Sequence, residues 1–165
     1  GAGRVLNFPD TGGYWQWEMP RTKIAMDLQT PFLFSDSDYK TVLSAFASSA
    51  ALKGFVSTYH PDFISVPLRH PLFKEAVKAV PDYVPVFFDD QEVLYADRVR
   101  HADLVARWAL PDGRLTDERL ERTLAIDPGI WTILAESARR CAAKGDADCV
   151  AARENEMRRR YPESF

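Results

Sequence analysis

Apolar residues in the first two-thirds of the chain follow two rhythms. Short unbroken blocks, within Arg4–Phe8, Lys23–Leu28 and Phe63–Val66, stop at turn residues or proline and read as buried strands. Between them the spacing becomes helical. Tyr14–Met19 predicts a short helix ended by Pro20. Ser35-Asp36-Ser37-Asp38 supplies side-chain oxygens that can take up free first-turn N–H groups. Behind that cap, Tyr39, Val42, Leu43 and Phe46 predict one helix running past Leu52 to about Gly54. Pro71 sits at a first helical turn, followed by Leu72, Phe73, Ala76, Val77 and Val80. Tyr83–Phe88 and Val93–Ala96 flank the polar stretch from Asp89 to Glu92 and predict a hairpin. Pro85, which has no N–H to give, then belongs on an edge or at a bulge.

The order β-α-β-α-β-α-β-β predicts a three-layer α/β fold, with a mostly parallel sheet, helices on its faces and a C-terminal antiparallel hairpin. Crossovers between parallel strands should be right-handed. After Arg98 the strand pattern ends. The chain divides into an α/β domain (1–98), a helix and linker (99–115) containing Pro111-Asp112-Gly113, and an all-α tail (116–165). In the tail, Pro128 and Pro162 stand 34 residues apart, with Gly145-Asp146 between two helical stripes. This resembles about one and a half tetratricopeptide units over Thr116–Pro162. Ser137 and Glu154 depart from the bulky apolar residues usual there, and an unrelated helical hairpin is the alternative. A stack this short would be a cap or a docking shelf.

Bulk properties narrow the field. The 165 residues, 46% of them hydrophobic and 27% charged, are enough for a packed core. A net charge of −3 gives no general attraction to nucleic acid, which is not expected as a partner. No apolar run reaches the roughly 18 residues of a membrane span. The start at Gly1-Ala2-Gly3, without Met or signal peptide, reads as a piece of a longer protein. Cys141 and Cys149 flank the Gly145 turn. They are either packed thiols or a disulfide, and a disulfide would imply an oxidising compartment. Two thiols with no nearby histidine cannot complete a metal shell, so no metal site is expected.

Motifs that suggest catalysis have structural explanations. Asp10-Thr11-Gly12 has the composition of an aspartic-protease signature, but Pro9 precedes it and no second copy occurs. Gly12-Gly13 suits a turn from strand into helix needing free backbone angles, and such a turn can hold a phosphate, yet the nucleotide-binding glycine patterns are missing. Asp36/Asp38 and Asp89/Asp90 read as cap and turn. His60 and His70 precede prolines, and with His101 they form no ligand spacing. Tyr14, Trp15 and Trp17 make an aromatic knot that reads first as core, or else as a sugar-binding or lipid-interface surface. Arg158-Arg159-Arg160 complements a helix C-terminus. No catalytic residue and no cofactor is expected, although the enzyme question stays open.

One resemblance gathers these fragments. Val5-Leu6-Asn7, Gly12-Gly13-Tyr14, Trp15, Trp17, Pro20 and Lys23-Ile24-Ala25-Met26-Asp27 occur in a familiar order, with Tyr59–Val66 and Tyr83–Arg98 later. The stretch Val5–Arg98 resembles the C-terminal soluble domain of bacterial polytopic membrane proteins related to lipid-linked-sugar glycosyltransferases. In that group the second strand ends in Asp-Gly-Arg; here Asp27 is followed by Leu28-Gln29. The resemblance implies that transfer chemistry belongs to the membrane part. This chain would then be a non-catalytic extracytoplasmic accessory or interaction domain on the periplasmic side of a bacterial inner membrane. Its partners would be the N-terminal transmembrane part of its own parent and a protein at the helical tail. Asp10, Gly12, Gly13 and Asp27 are the candidate ligand-binding residues, at strand ends where open α/β sheets take ligands. Two other readings stand beside it. One is a soluble ligand-binding or hydrolytic domain working from a crevice near Asp10, Asp27 and Asp62. The other is a pure interaction module with an apolar groove between the last helices.

Overall fold

The computed structural model describes residues 3–28, 33–67, 70, 72–89, 91–110 and 116–164. Two compact units divide the chain, Gly1–Leu110 and Pro111–Phe165. In the first, strands β1 (Arg4–Asn7), β2 (Lys23–Ile24), β3 (Phe63–Pro67), β4 (Tyr83–Phe88) and β5 (Glu92–Asp97) form one sheet in the order β2-β1-β3-β5-β4. β1 runs parallel to both β2 and β3, while β5 is antiparallel to β3 and β4. The sheet is therefore mixed, three parallel strands continued by an antiparallel hairpin.

Helices α1 (Gly12–Glu18), α2 (Asp36–Ala47), α3 (Ser49–Tyr59), α4 (Phe73–Ala76) and α5 (Ala102–Trp108) complete this unit. Leu6, Ile64 and Val66 share one face of the sheet. They form the core with Val42, Ala45 and Phe46 of α2, Leu52 and Phe55 of α3, and Phe73 and Ala76 of α4. Ser35 caps α2 in a reciprocal box: its hydroxyl accepts from the Asp38 N–H, and the Asp38 carboxylate accepts from the Ser35 N–H.

Several elements differ from the pattern along the chain, each for a local reason. The long helix expected to run from Tyr39 past Leu52 is two helices. Ser48 breaks it with an extended backbone and caps α3 by accepting from the Ala51 N–H. Gly54 then lies inside α3. The second strand stops at Ile24, where the Asn7 side chain takes over from the ladder: the Ala25 N–H is shared between the Val5 carbonyl and Asn7 Oδ1, and the Met26 N–H goes to Asn7 Oδ1. The stripe after Leu72 gives one short helix and a 3-10 turn, Val77–Ala79. Pro85 stands on the edge strand β4, and the register of β4 against β5 shifts between Pro85 and Phe87. Asp89 closes the hairpin by accepting from Gln91 and Glu92 N–H groups. Asp90, Pro71 and the Pro111-Asp112-Gly113 linker lie outside the described residues.

The second unit holds α6 (Asp117–Ile126), α7 (Trp131–Ala143) and α8 (Ala147–Arg160). Leu120, Leu124, Ile130, Ile133, Leu134 and Met157 are buried there. Gly145 takes φ +74° at the α7–α8 turn, a left-handed angle that favours glycine. Asp146 then caps α8 by accepting from the Cys149 N–H. Cys141 and Cys149 are joined by a disulfide across this turn, with Cα atoms 5.8 Å apart. Ser137, where a bulky residue was expected, is buried and accepts from Arg153, which also pairs with Glu121. The small side chain leaves room for that guanidinium.

Candidate functional site

The carboxyl ends of the parallel strands are where a ligand of this fold class would lie, and three buried polar residues sit there: Asn7, Asp27 and Ser65. Asn7 ends β1 and is fully buried. Its Nδ2 donates to the carbonyls of Phe8 (2.9 Å) and Met26 (2.7 Å), and its Oδ1 accepts from Ala25 (2.9 Å) and Met26 (3.4 Å). Every hydrogen-bonding direction of the amide is used on backbone, three of the four on the chain after β2. Asn7 is paired in register with Ser65 of β3. The Ser65 hydroxyl lies 2.6 Å from Glu92 Oε2, while Glu92 Oε1 is buried without a partner among the described residues.

Gly12 and Asp27 do come together, but as packing. A Cβ on Gly12 would stand 2.3 Å from the Met26 carbonyl oxygen and 2.6 Å from the Asp27 Cα. Gly12 has ordinary helical angles, φ −57° and ψ −43°, so glycine is needed there for close approach and not for backbone freedom. Gly13 lies in the same helix, exposed, with nothing within 4 Å of its would-be Cβ. Asp27 is buried and accepts from Gln16 of α1 at 3.0 Å. Asp10 is exposed on the 3-10 turn Pro9–Thr11. The four candidate ligand residues thus divide into a packed pair, Gly12 and Asp27, and a solvated pair, Asp10 and Gly13. The aromatic knot divides as well. Trp15 is half-buried, while Tyr14 and Trp17 are 66% and 84% exposed, because the short helix α1 packs through Gly12 and the Gln16–Asp27 bond.

Asp62 belongs to the opposite end of the sheet, so the three carboxylates expected in one crevice do not converge. It precedes β3 and accepts from the Arg4 N–H at 2.7 Å and from Arg100 Nη1 at 3.1 Å. His101 Nε2 lies 3.2 Å away. Burial pushes its pKa up, but the Arg4 N–H, His101 and Arg100 outweigh that and hold it below the usual carboxylate range. Arg100 also pairs with Asp97 at 2.7 Å and donates to the His60 and Pro61 carbonyls. The Tyr83 hydroxyl donates to the Pro61 carbonyl, and burial pushes its pKa up to about 12. This cluster latches the end of β5 onto the α3–β3 corner. His60 at that corner adopts φ 47° and closes α3.

His70 packs between Phe8 and Phe46, with ring centroids 5.8 and 5.9 Å away. Its Nδ1 is buried without a partner among the described residues, and burial lowers its pKa. Asn7, Ser65, Glu92 and His70 were not singled out as site residues from the sequence. A visible signal exists for two of them, a polar residue ending or interrupting an otherwise apolar strand block. For His70 and Glu92 there is none.

A cavity of about 480 Å³ lies between the β1–β2 edge and helices α2 and α3. Met26, Phe34, Val42 and Phe55 supply apolar walls, and Arg4 and Lys23 stand on its strand side. Among the described residues, no group of three or more His, Cys, Asp or Glu side chains is placed to hold a metal ion. No helix among them is long and apolar enough to cross a membrane. Compared with family models, with curated proteins and with solved structures, the chain matches none of them.

Proposed function

We propose that this chain is a non-catalytic accessory and interaction domain, carried on the extracytoplasmic side of a membrane-embedded protein related to lipid-linked-sugar glycosyltransferases. The observation that carries the reading is the use made of the strand-end polar groups. Asn7 spends its whole amide on backbone, and Gly12 brings α1 against Met26 and Asp27. The rim available for chemistry in other α/β folds is built here as a joint. The Gly-Gly-Tyr and Lys23–Asp27 segments on which the family resemblance rests are the two halves of that joint.

The Cys141–Cys149 disulfide supports an oxidising compartment such as the periplasm. In this reading, α6–α8 are one and a half tetratricopeptide-like units that dock a protein partner. Helix α5 starts the third layer of the α/β fold. His101 at its head stacks on Phe63 at 4.7 Å, and strand alternation points Phe63 away from the Leu6–Ile64 core face. The remaining partner is the transmembrane part of the same parent.

Two experiments test the proposal. The purified chain, incubated with a polyprenyl-phosphate sugar donor, should give no transfer or hydrolysis. Turnover that disappears in Asp27→Asn would instead establish the hydrolytic or ligand-binding alternative at Asp10 and Asp27. Reading the coding sequence upstream for apolar spans of about 20 residues tests the parent, and their absence from the full gene would overturn the membrane assignment.

A further inference from the structure

We propose that the cavity between the β1–β2 edge and α2–α3 binds a single-chain amphiphile with an anionic head, its chain in the cavity and its head on Arg4 and Lys23. This stands on the cavity alone and does not rest on the accessory reading.

Arg4 and Lys23 are direct partners in the parallel β1–β2 register, so their side chains leave the same face of the sheet as neighbours. Like charges facing each other across strands repel. Here both cations line the cavity. Arg4 commits Nη1 to the Tyr59 carbonyl at 2.9 Å, a neutral partner. Lys23 makes no salt bridge among the described residues. The nearby acids are otherwise engaged. Asp38, which also lines the cavity, accepts from the Ser35 hydroxyl at 2.7 Å and the Ser35 N–H at 3.0 Å. Asp62 accepts from the Arg4 backbone and is shared with Arg100 and His101.

An anion between Arg4 and Lys23 would relieve the repulsion and gain two charge-assisted contacts. Beyond the cations Met26, Phe34, Val42 and Phe55 supply an apolar stretch of wall, with Thr41 and the capped Asp38 on the α2 side. A volume of about 480 Å³ falls within the range of small-molecule sites, roughly 300–1,000 Å³. It suits an alkyl chain better than a bare anion. Net charge cannot do this recruiting, since the whole chain carries −3. The attraction is local to this cation pair.

The test uses the full chain and dodecyl phosphate, titrated calorimetrically below its micelle concentration. Saturable binding of one molecule per chain is expected. Lys23→Glu should weaken it about tenfold or more, the size expected for losing one charge-assisted contact. Thr41→Trp, at an exposed helix position lining the cavity, should block binding while circular dichroism stays that of the parent. Dodecyl maltoside and inorganic phosphate are the controls, and both should bind far more weakly. The proposal is overturned if dodecyl phosphate does not bind. Equal binding of the neutral detergent would remove the anion site, and equal binding of inorganic phosphate would remove the chain site. Full binding by a folded Thr41→Trp variant would place the ligand elsewhere.

Discussion

Gly12 and Gly13 are adjacent, both helical, and should respond oppositely to the same substitution. At an ordinary helical position Gly→Ala stabilises by up to about 1 kcal/mol, because alanine loses less backbone entropy. Gly13→Ala should approach that gain, since its new methyl meets nothing within 4 Å. In Gly12→Ala the methyl would stand 2.3 Å from the Met26 carbonyl oxygen and 2.6 Å from the Asp27 Cα and Cβ. Restoring ordinary contact of about 3.5 Å requires α1 to retreat by about 1 Å. The nearest atoms are backbone and cannot rotate away. Overpacking of this kind costs about 1–3 kcal/mol. The retreat also stretches the 3.0 Å Gln16–Asp27 bond, worth about 1 kcal/mol. Set against the propensity gain, Gly12→Ala should lose about 1–3 kcal/mol, and the two variants should differ by about 2–4 kcal/mol. Urea titration followed by tryptophan emission measures this, because Trp15, Trp17 and Trp108 all lie in the α/β unit. A Gly12→Ala protein as stable as the parent would refute the account of α1 as a close-packed joint. So would a Gly13→Ala loss of equal size.

Other outcomes follow from the same contacts. Asn7→Ala removes four side-chain bonds and takes the acceptor from the buried Met26 N–H, so it should cost about 3 kcal/mol in the urea midpoint of the α/β unit. Asn7→Asp, which turns both donors into acceptors facing carbonyls, should be at least as damaging at neutral pH. Paired Cys141→Ser and Cys149→Ser substitution opens a loop of sequence separation 8. The loop-entropy relation puts the loss at about 2.5 kcal/mol in the thermal unfolding of the helical unit, and an unchanged transition would argue against the bond. Acid should also weaken that unit. Hydrogen bonds from Arg139 and Arg140 hold Glu136 down to about 2, and those from Arg159 and Arg160 hold Glu156 down to about 2. Both carboxylates have depressed folded-state pKa values, so their contribution is present above about pH 4.5 and is lost as pH falls toward 2. A helical transition independent of pH over that window would show these surface pairs to be worth nothing. His70 acts in the α/β unit. Burial lowers its pKa, so the unfolded chain takes up its proton first, and stability should decline as pH falls below about 6.5. His70→Phe should flatten that part of the profile.

Much of the architecture was legible in local pattern. The alternation of strand and helix blocks, the Ser35–Asp38 cap, the hairpin closing at Asp89, the edge position of Pro85 and the ends of α6 and α8 before Pro128 and Pro162 all rest on neighbours in sequence. Caps, turns and amphipathic stripes are short-range physics, and the residues that enforce them lie within a few positions of one another. What sequence could not decide was what depends on distant chain segments meeting. Asn7 looked like the end of a strand, yet its amide also fixes the end of a different strand, β2, by accepting from Ala25 and Met26 just beyond it. Gly12 looked like a backbone hinge until the Met26 carbonyl was found against it. Asp10, Asp27 and Asp62 share a residue type but not a place, because parallel strands carry their two ends to opposite rims of the sheet. Arg4 and Lys23 stand 19 positions apart and become neighbours only through the β1–β2 register. Local composition determines which elements form; register and crossover decide which side chains face each other, and the chemistry of a site is set by that second step.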